Sequence, residues 1–78
     1  MKITVRYFAS LRDKMGRADE VVEMDGDVVS VADVWNKVTD GQEMPESTLI
    51  AINMDYTDAE AQLKDADELA FFPPVTGG

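Results

Sequence analysis

The sequence contains no cysteine and no histidine. Without them the chain cannot form a disulfide, a thiolate or imidazole metal site, an iron–sulfur cluster, or a nucleophile system of the Cys-His or Ser-His-Asp type. The absence of disulfides fits a reducing compartment, and it leaves a chain of only 78 residues to be held together by core packing. Any chemistry must therefore use carboxylates, lysine, tyrosine, hydroxyl groups or the chain ends.

Basic side chains are also scarce, with 7 Lys and Arg against 16 Asp and Glu, for a net charge of −9. Such a surface repels phosphate backbones and anionic lipid, so we expect neither a nucleic acid nor a membrane partner. The charge either steers a basic protein partner or only maintains solubility. No window approaches the ~18 apolar residues of a membrane span, and the first residues begin no signal-peptide pattern. We therefore expect a cytoplasmic protein.

The pattern of apolar residues predicts one small domain with 45% apolar content. Residues 3–8 alternate as strands do, and residues 20–24 are predicted to be a second strand. A short helix between them is expected to begin at a Ser10 N-cap and stop at Gly16. The clearest helix follows a Ser30 N-cap and is expected to end at Gly41. Its apolar stripe contains Val31, Val34, Trp35 and Val38.

The second half of the chain predicts further strands at residues 49–52, around Tyr56 and at residues 68–72, with an irregular or single-turn helical piece at residues 58–63. This order favours an α+β fold, in which one main helix packs on one face of a small mixed sheet. The connection through that helix suits parallel pairing of the strands that flank it. The acidic turns at residues 25–27 and 65–68 lack the spacing of a calcium loop, so no metal site is expected.

The last residues break the alternation, because residues 70–75 are six apolar residues in a row. If Leu69 and Phe71 face inward, Phe72 faces the other way. Pro73 and Pro74 cannot donate to a ladder, so the strand must stop there. The segment is either a frayed terminus or a slim tail, reaching roughly 20 Å from residue 73 to residue 78, that delivers a carboxylate into a partner's channel.

Residues 63–78, with Phe-Phe-Pro-Pro-Val-Thr-Gly-Gly at their end, closely resemble the ending of the small, sulfur-carrier subunits of molybdopterin synthase. Phe8-Ala9, Leu11-Arg12 and Gly16 match the opening of that family, and residues 51–53 its middle strand. The resemblance implies a ubiquitin-like β-grasp domain over residues 1–72 and an extended tail over residues 73–78. Ala66 departs from the family, which usually has glycine there.

The resemblance also implies a mechanism. An adenylyltransferase similar to ubiquitin-activating enzymes would use ATP to place a transient AMP on Gly78, and a sulfur donor protein would convert the adenylate to a thiocarboxylate. The loaded tail would then enter the large catalytic subunit, which would transfer the sulfur to cyclic pyranopterin monophosphate within a heterotetramer. The chain would be no enzyme by itself and would bind no cofactor.

Residue roles follow from the same resemblance. Gly78 would carry the adenylate and then the sulfur, and the remaining positions would contact partners: Phe8, Arg12, Phe72, Pro73, Pro74, Val75, Thr76 and Gly77. From its residue type, Phe8 is also read as core or rim packing, and Arg12 as a surface ion pair. Three alternatives stay open: a thiamine-thiazole sulfur carrier, a ubiquitin-like protein modifier, and an interaction module with an inert terminus.

Overall fold

A computed structural model of the protein describes residues 1–73. Within them lie two helices and seven strands. In chain order the elements are β1 (Lys2–Tyr7), α1 (Ser10–Met15), β2 (Asp19–Glu23), β3 (Val29–Ser30), α2 (Val31–Thr39), β4 (Leu49–Ile52), β5 (Asp55–Thr57), β6 (Gln62–Leu63) and β7 (Glu68–Phe72). The predicted α+β arrangement is confirmed, since a mixed sheet carries the main helix α2 on one face.

Five strands form the main sheet in the order β2-β1-β7-β4-β5. The first and last strands, β1 and β7, run parallel at its centre, while the neighbours on either side are antiparallel. The sequence predicted that the strands before and after α2, which are β2 and β4 of the main sheet, pair in parallel. This prediction is wrong, because β1 and β7 lie between β2 and β4. Strand β7 supplies hydrogen-bonding partners to both of its neighbours, which places the end of the described chain in the middle of the sheet.

Helix α2 begins where the sequence predicted. The Ser30 hydroxyl accepts a hydrogen bond from the Asp33 N–H at 3.2 Å, and the Asp33 carboxylate accepts one from the Ser30 N–H at 2.9 Å. The helix ends one residue earlier than predicted, because Asp40 takes the left-handed C-cap conformation at φ 57°. The side chain of an aspartate bonds readily to local backbone groups, which allows it to take this position in place of glycine.

The core lies between α2 and the inner face of the sheet. Trp35, 4% exposed, meets the ring of the fully buried Phe71 edge-on, with the centroids 4.9 Å apart. The Trp35 indole N–H donates to the Gln42 carbonyl at 3.0 Å, which satisfies its polar group. The prediction that Trp35 is a core residue is therefore confirmed.

Two local predictions are wrong. Ser10 is the first residue of α1, and the N-cap is Ala9, which makes no side-chain cap; the Arg12 N–H bonds the Ala9 carbonyl instead. Gly16 does end α1, in the left-handed conformation at φ 74°. Within the segment expected to be irregular or helical, Gln62–Leu63 is a short strand that pairs with Val29–Ser30. Two residues are too few to show a strand period in the sequence.

Tyr7 is an inner-face residue that carries a polar group into the core. Its hydroxyl donates to the Glu20 carboxylate at 2.6 Å, and the Arg17 guanidinium donates to the same carboxylate. Burial, and then the hydrogen bond to Glu20, raise the pKa of Tyr7 well above its usual range. The hydroxyl therefore stays protonated and anchors β1 to the start of β2.

Candidate partner-binding site

Strand β7 ends at Phe72, whose side chain lies on the outer face of the sheet, which is the face opposite α2. Leu69 and Phe71 point into the core and are fully buried, whereas Phe72 is half-buried on the other side, as the alternation predicted. The ladder ends at Phe72 because Pro73 has no N–H to donate. Pro74, Val75, Thr76, Gly77 and Gly78, all predicted to be site residues, lie outside the described residues.

Three aromatic side chains surround the point where the chain leaves the sheet. Phe8 stacks on Phe72 with ring centroids 4.5 Å apart and planes 10° apart, and Tyr56 lies tilted against Phe72 at 6.2 Å. Phe8 is held in place by its N–H, which donates to the Phe71 carbonyl at 3.2 Å. We call Phe8, Tyr56 and Phe72 the outer aromatic cluster.

A groove of about 300 Å³ runs along the outer face beside this cluster. Its floor is made by Ala51 and Ala70, which lie opposite each other on β4 and β7 and are shielded from solvent. Two of its apolar side chains, Met54 at 89% and Tyr56 at 73%, are strongly exposed. The lining of this outer groove is completed by Arg6, Phe8, Glu68 and Phe72.

Charges on the wall of the groove are balanced. The Arg6 guanidinium lies 5.6 Å from the centre of the Phe8 ring and pairs with the Glu68 carboxylate at 3.4 Å. Both side chains of this ion pair are about half exposed, so it contributes little to stability. Arg6 and Glu68 are the two charged side chains in the lining of the groove, so the strong negative charge of the chain is not concentrated there.

The hairpin between β4 and β5 forms one end of the groove. Asn53 and Met54 connect the strands and both have positive φ, at 50° and 73°. The Asn53 side chain donates to the Asp67 carboxylate at 2.9 Å and accepts from the Glu68 N–H at 2.9 Å. The Asn53 N–H also donates to the Glu68 carbonyl at 2.8 Å. These three hydrogen bonds fix the hairpin to the start of β7.

The structure brings together only some of the predicted contact residues. Phe8 and Phe72 touch each other at the rim of the groove. Arg12 is exposed on α1 and does not line the groove, and within residues 1–73 its guanidinium makes no ion pair, so the surface ion pair considered for it is absent there. Sequence reasoning missed Tyr56 and Met54. The register of β5 against β4, which places Tyr56 opposite Ala51, would have revealed the first.

In residues 1–73 no group of three or more acidic side chains is arranged to hold a metal ion. Nor does that region contain a helix with the length and apolar character needed to cross a bilayer.

Comparisons with known proteins point to one family. Residues 5–78 match the ThiS family. The molybdopterin synthase sulfur carrier subunit of Chlamydomonas reinhardtii is 34% identical, with both chains fully covered.

Solved structures agree. A putative molybdopterin converting factor subunit 1 from Pyrococcus furiosus has a TM-score of 0.78 at 29% identity, covering 96% of this chain and 99% of that one. Small archaeal modifier protein 1 from Methanosarcina acetivorans has a TM-score of 0.77 at 28% identity, covering 99% and 96%. The expected ubiquitin-like β-grasp fold is confirmed. The chain belongs to the ThiS family and is similar over its whole length to molybdopterin synthase sulfur carrier subunits.

Proposed function

We propose that this chain is the sulfur carrier subunit of a molybdopterin synthase and that it carries sulfur as a thiocarboxylate on Gly78. The observation that carries the proposal is the continuity between the tail and an exposed apolar surface. Phe72, the last residue of β7, stacks on Phe8 at the rim of the outer groove, and Pro73 continues the chain from there. Contiguous exposed apolar surface on a small acidic domain marks a protein contact.

The chemistry at Gly78 proceeds in two steps. A carboxylate is a poor electrophile, so its oxygen first attacks the α-phosphate of ATP, which forms an acyl-adenylate and releases pyrophosphate. Sulfide sulfur from a donor protein then attacks the acyl carbon and expels AMP, leaving a thiocarboxylate. An adenylyltransferase similar to ubiquitin-activating enzymes catalyses the first step, and ATP is its substrate and not a cofactor of this chain.

Sulfur transfer takes place in the large catalytic subunit. The tail enters that subunit, where the sulfur of Gly78 passes to cyclic pyranopterin monophosphate, and two loaded carriers supply the two sulfurs of one dithiolene. Gly77 lets the backbone pass a constriction, and residues 73–76 lie in the groove of the partner. The carrier supplies no acid or base, so catalysis rests with the large subunit, two copies of which form the centre of a heterotetramer.

Reconstitution tests the proposal directly. The chain is incubated with the adenylyltransferase, ATP and a sulfide source, and its intact mass is measured. We expect a gain equal to the exchange of one oxygen for one sulfur, and transfer of that sulfur when the large subunit and the pterin precursor are added. Deletion of Gly78 is the matched control, because it should leave thermal unfolding unchanged while abolishing both signals. An active deletion variant would contradict the proposal.

A second candidate is a ubiquitin-like protein modifier joined through Gly78 to lysines of other proteins. It is favoured by the similarity to the small archaeal modifier protein at 28% identity. Mass spectrometry of protein purified from its native host separates the two. A modifier gives target lysines joined by an isopeptide bond to Gly78, which keep residues 65–78 after tryptic cleavage at Lys64, and a carrier gives the thiocarboxylate. A chain with neither modification is an inert interaction module. If the thiocarboxylate is found, the assay with the large subunit and the pterin precursor distinguishes a molybdopterin synthase carrier from a thiamine-thiazole sulfur carrier.

A further inference from the structure

The β4–β5 hairpin holds a methionine in a conformation that methionine disfavours. Met54 has φ 73°, in the left-handed region where the Cβ of an L-residue approaches the following carbonyl oxygen. The two-residue connection with positive φ at both positions is the mirror-image type I turn, which prefers Asn followed by Gly. Asn53 satisfies the first preference and Met54 violates the second.

Nothing in the described fold uses the Met54 side chain. It is 89% exposed, so it adds little to the core. The hairpin is held instead by the three hydrogen bonds of Asn53 to Asp67 and Glu68. A glycine would keep these bonds and remove the strain. Backbone strain of this kind persists where the surroundings over-determine it, and it is concentrated at functional sites.

The position of Met54 indicates that its side chain belongs to a binding surface. It lines the outer groove together with Tyr56 and Phe72. Gly78 lies five residue steps beyond Pro73, a span of at most about 18 Å. A protein that receives Gly78 therefore comes within that distance of Pro73, whose neighbour Phe72 lines the groove.

We infer that Met54 is a contact residue for the large catalytic subunit, and that its unfavourable conformation is tolerated because it places a flexible apolar side chain over the outer groove. The inferred occupant of the groove is an apolar side chain of that subunit. Methionine suits this position because its unbranched, polarizable side chain adapts to irregular surfaces. The inference rests on the proposed function, since it requires the large subunit as the partner.

The test separates fold strain from binding. Met54→Gly should raise the melting temperature by about 4–8 °C, the shift expected when the strain of one left-handed residue is removed from a domain of this size. The same variant should weaken binding to the large subunit, measured by calorimetry, by about tenfold. Raised stability together with lost affinity is a combination that simple structural damage does not produce.

Ala66→Gly is the matched control. Ala66 also has positive φ, at 72°, and is exposed, but it does not line the groove. Its replacement should raise the melting temperature by a similar amount and leave the dissociation constant unchanged. Met54→Leu, which retains an apolar side chain on the strained backbone, should keep the affinity within about threefold of the unaltered chain.

Four results would overturn the inference, and they differ in what they overturn. If Met54→Gly raises the melting temperature but leaves the affinity unchanged, Met54 is not a contact. If the melting temperature does not rise, the conformation is not strained. If the unaltered chain does not bind the large subunit, or if Phe72→Ala binds as well as the unaltered chain does, the proposed function fails together with the inference.

Discussion

Phe71 and Phe72 are adjacent in the chain and chemically identical, but they lie on opposite faces of the same strand. Phe71 is fully buried against Trp35 on the inner face, whereas Phe72 is half-buried on the outer face, between the half-buried Phe8 and the exposed Tyr56. The inner face is apolar because it packs against α2, and the fold requires it. Within residues 1–73 no layer covers the outer face, so the apolar residues there are more than folding requires.

One strand therefore serves two purposes. The inner residues of β7 fix the position of the strand in the sheet, and the outer residues display a surface at the place where the tail begins. Because successive side chains of a strand alternate between faces, neither purpose interferes with the other. A substitution at Phe71 should therefore affect stability, and one at Phe72 should affect docking.

The largest effect is expected for Phe71→Ala. Removal of a fully buried phenylalanine ring loses about 3–5 kcal/mol through lost burial and the cavity left behind, a large share of the ~5–15 kcal/mol that stabilises a typical domain. Urea unfolding followed by Trp35 fluorescence measures it. Phe72→Ala, the matched control, should lose only about 1 kcal/mol of stability. Equal losses in the two variants would remove the distinction between the faces.

Docking should show the opposite order. Phe72→Ala removes the centre of the outer aromatic cluster, and we expect it to weaken binding to the large subunit by about 2 kcal/mol, or about 30-fold in the dissociation constant. Calorimetry on the folded variant gives the value. Val21→Ala, at an apolar position that is 66% exposed and does not line the groove, should leave binding unchanged. A 30-fold loss in that variant as well would indicate general damage to the surface.

The smallest effect is expected for the removal of the Tyr7 hydroxyl, which lies on the inner face of the sheet. Tyr7→Phe removes the donor to Glu20 and should lose about 1 kcal/mol at neutral pH. Since folding raises the pKa of Tyr7, its contribution is complete below the unfolded pKa of about 10 and declines as the pH rises above it, where unfolded tyrosine ionises first. Unfolding at several alkaline pH values should therefore show the two proteins converging. A constant difference would refute this linkage.

Much of the fold could be predicted from local pattern. The local residue pattern predicted the strands β1, β2 and β7, and the reciprocal bonds of Ser30 and Asp33 confirm the predicted start of α2. The position of Phe72 on the face opposite Phe71 was predicted for the same reason. These features are determined by residues that are only a few positions apart in the chain, so they can be predicted from the sequence.

The rest depends on contacts between distant residues. The pairing of Gln62–Leu63 with Val29–Ser30 and the central position of β7 are set by the folded sheet and not by local periodicity. Tyr56 joins the candidate site only through the β4–β5 register. Met54 could not be recognised because its importance lies in a backbone angle, and an exposed methionine in a turn carries no other signal.

The central parallel pair of β1 and β7 has a consequence for the synthesis of the protein. Until residues 68–72 have been translated, β1 and β4 lack the strand that joins them, and Trp35 lacks Phe71. A chain released before that point lacks the central strand of its sheet, and its exposed apolar surface makes it prone to aggregation. A compact molecule is therefore one whose chain has been translated at least as far as Phe72, six residues before Gly78.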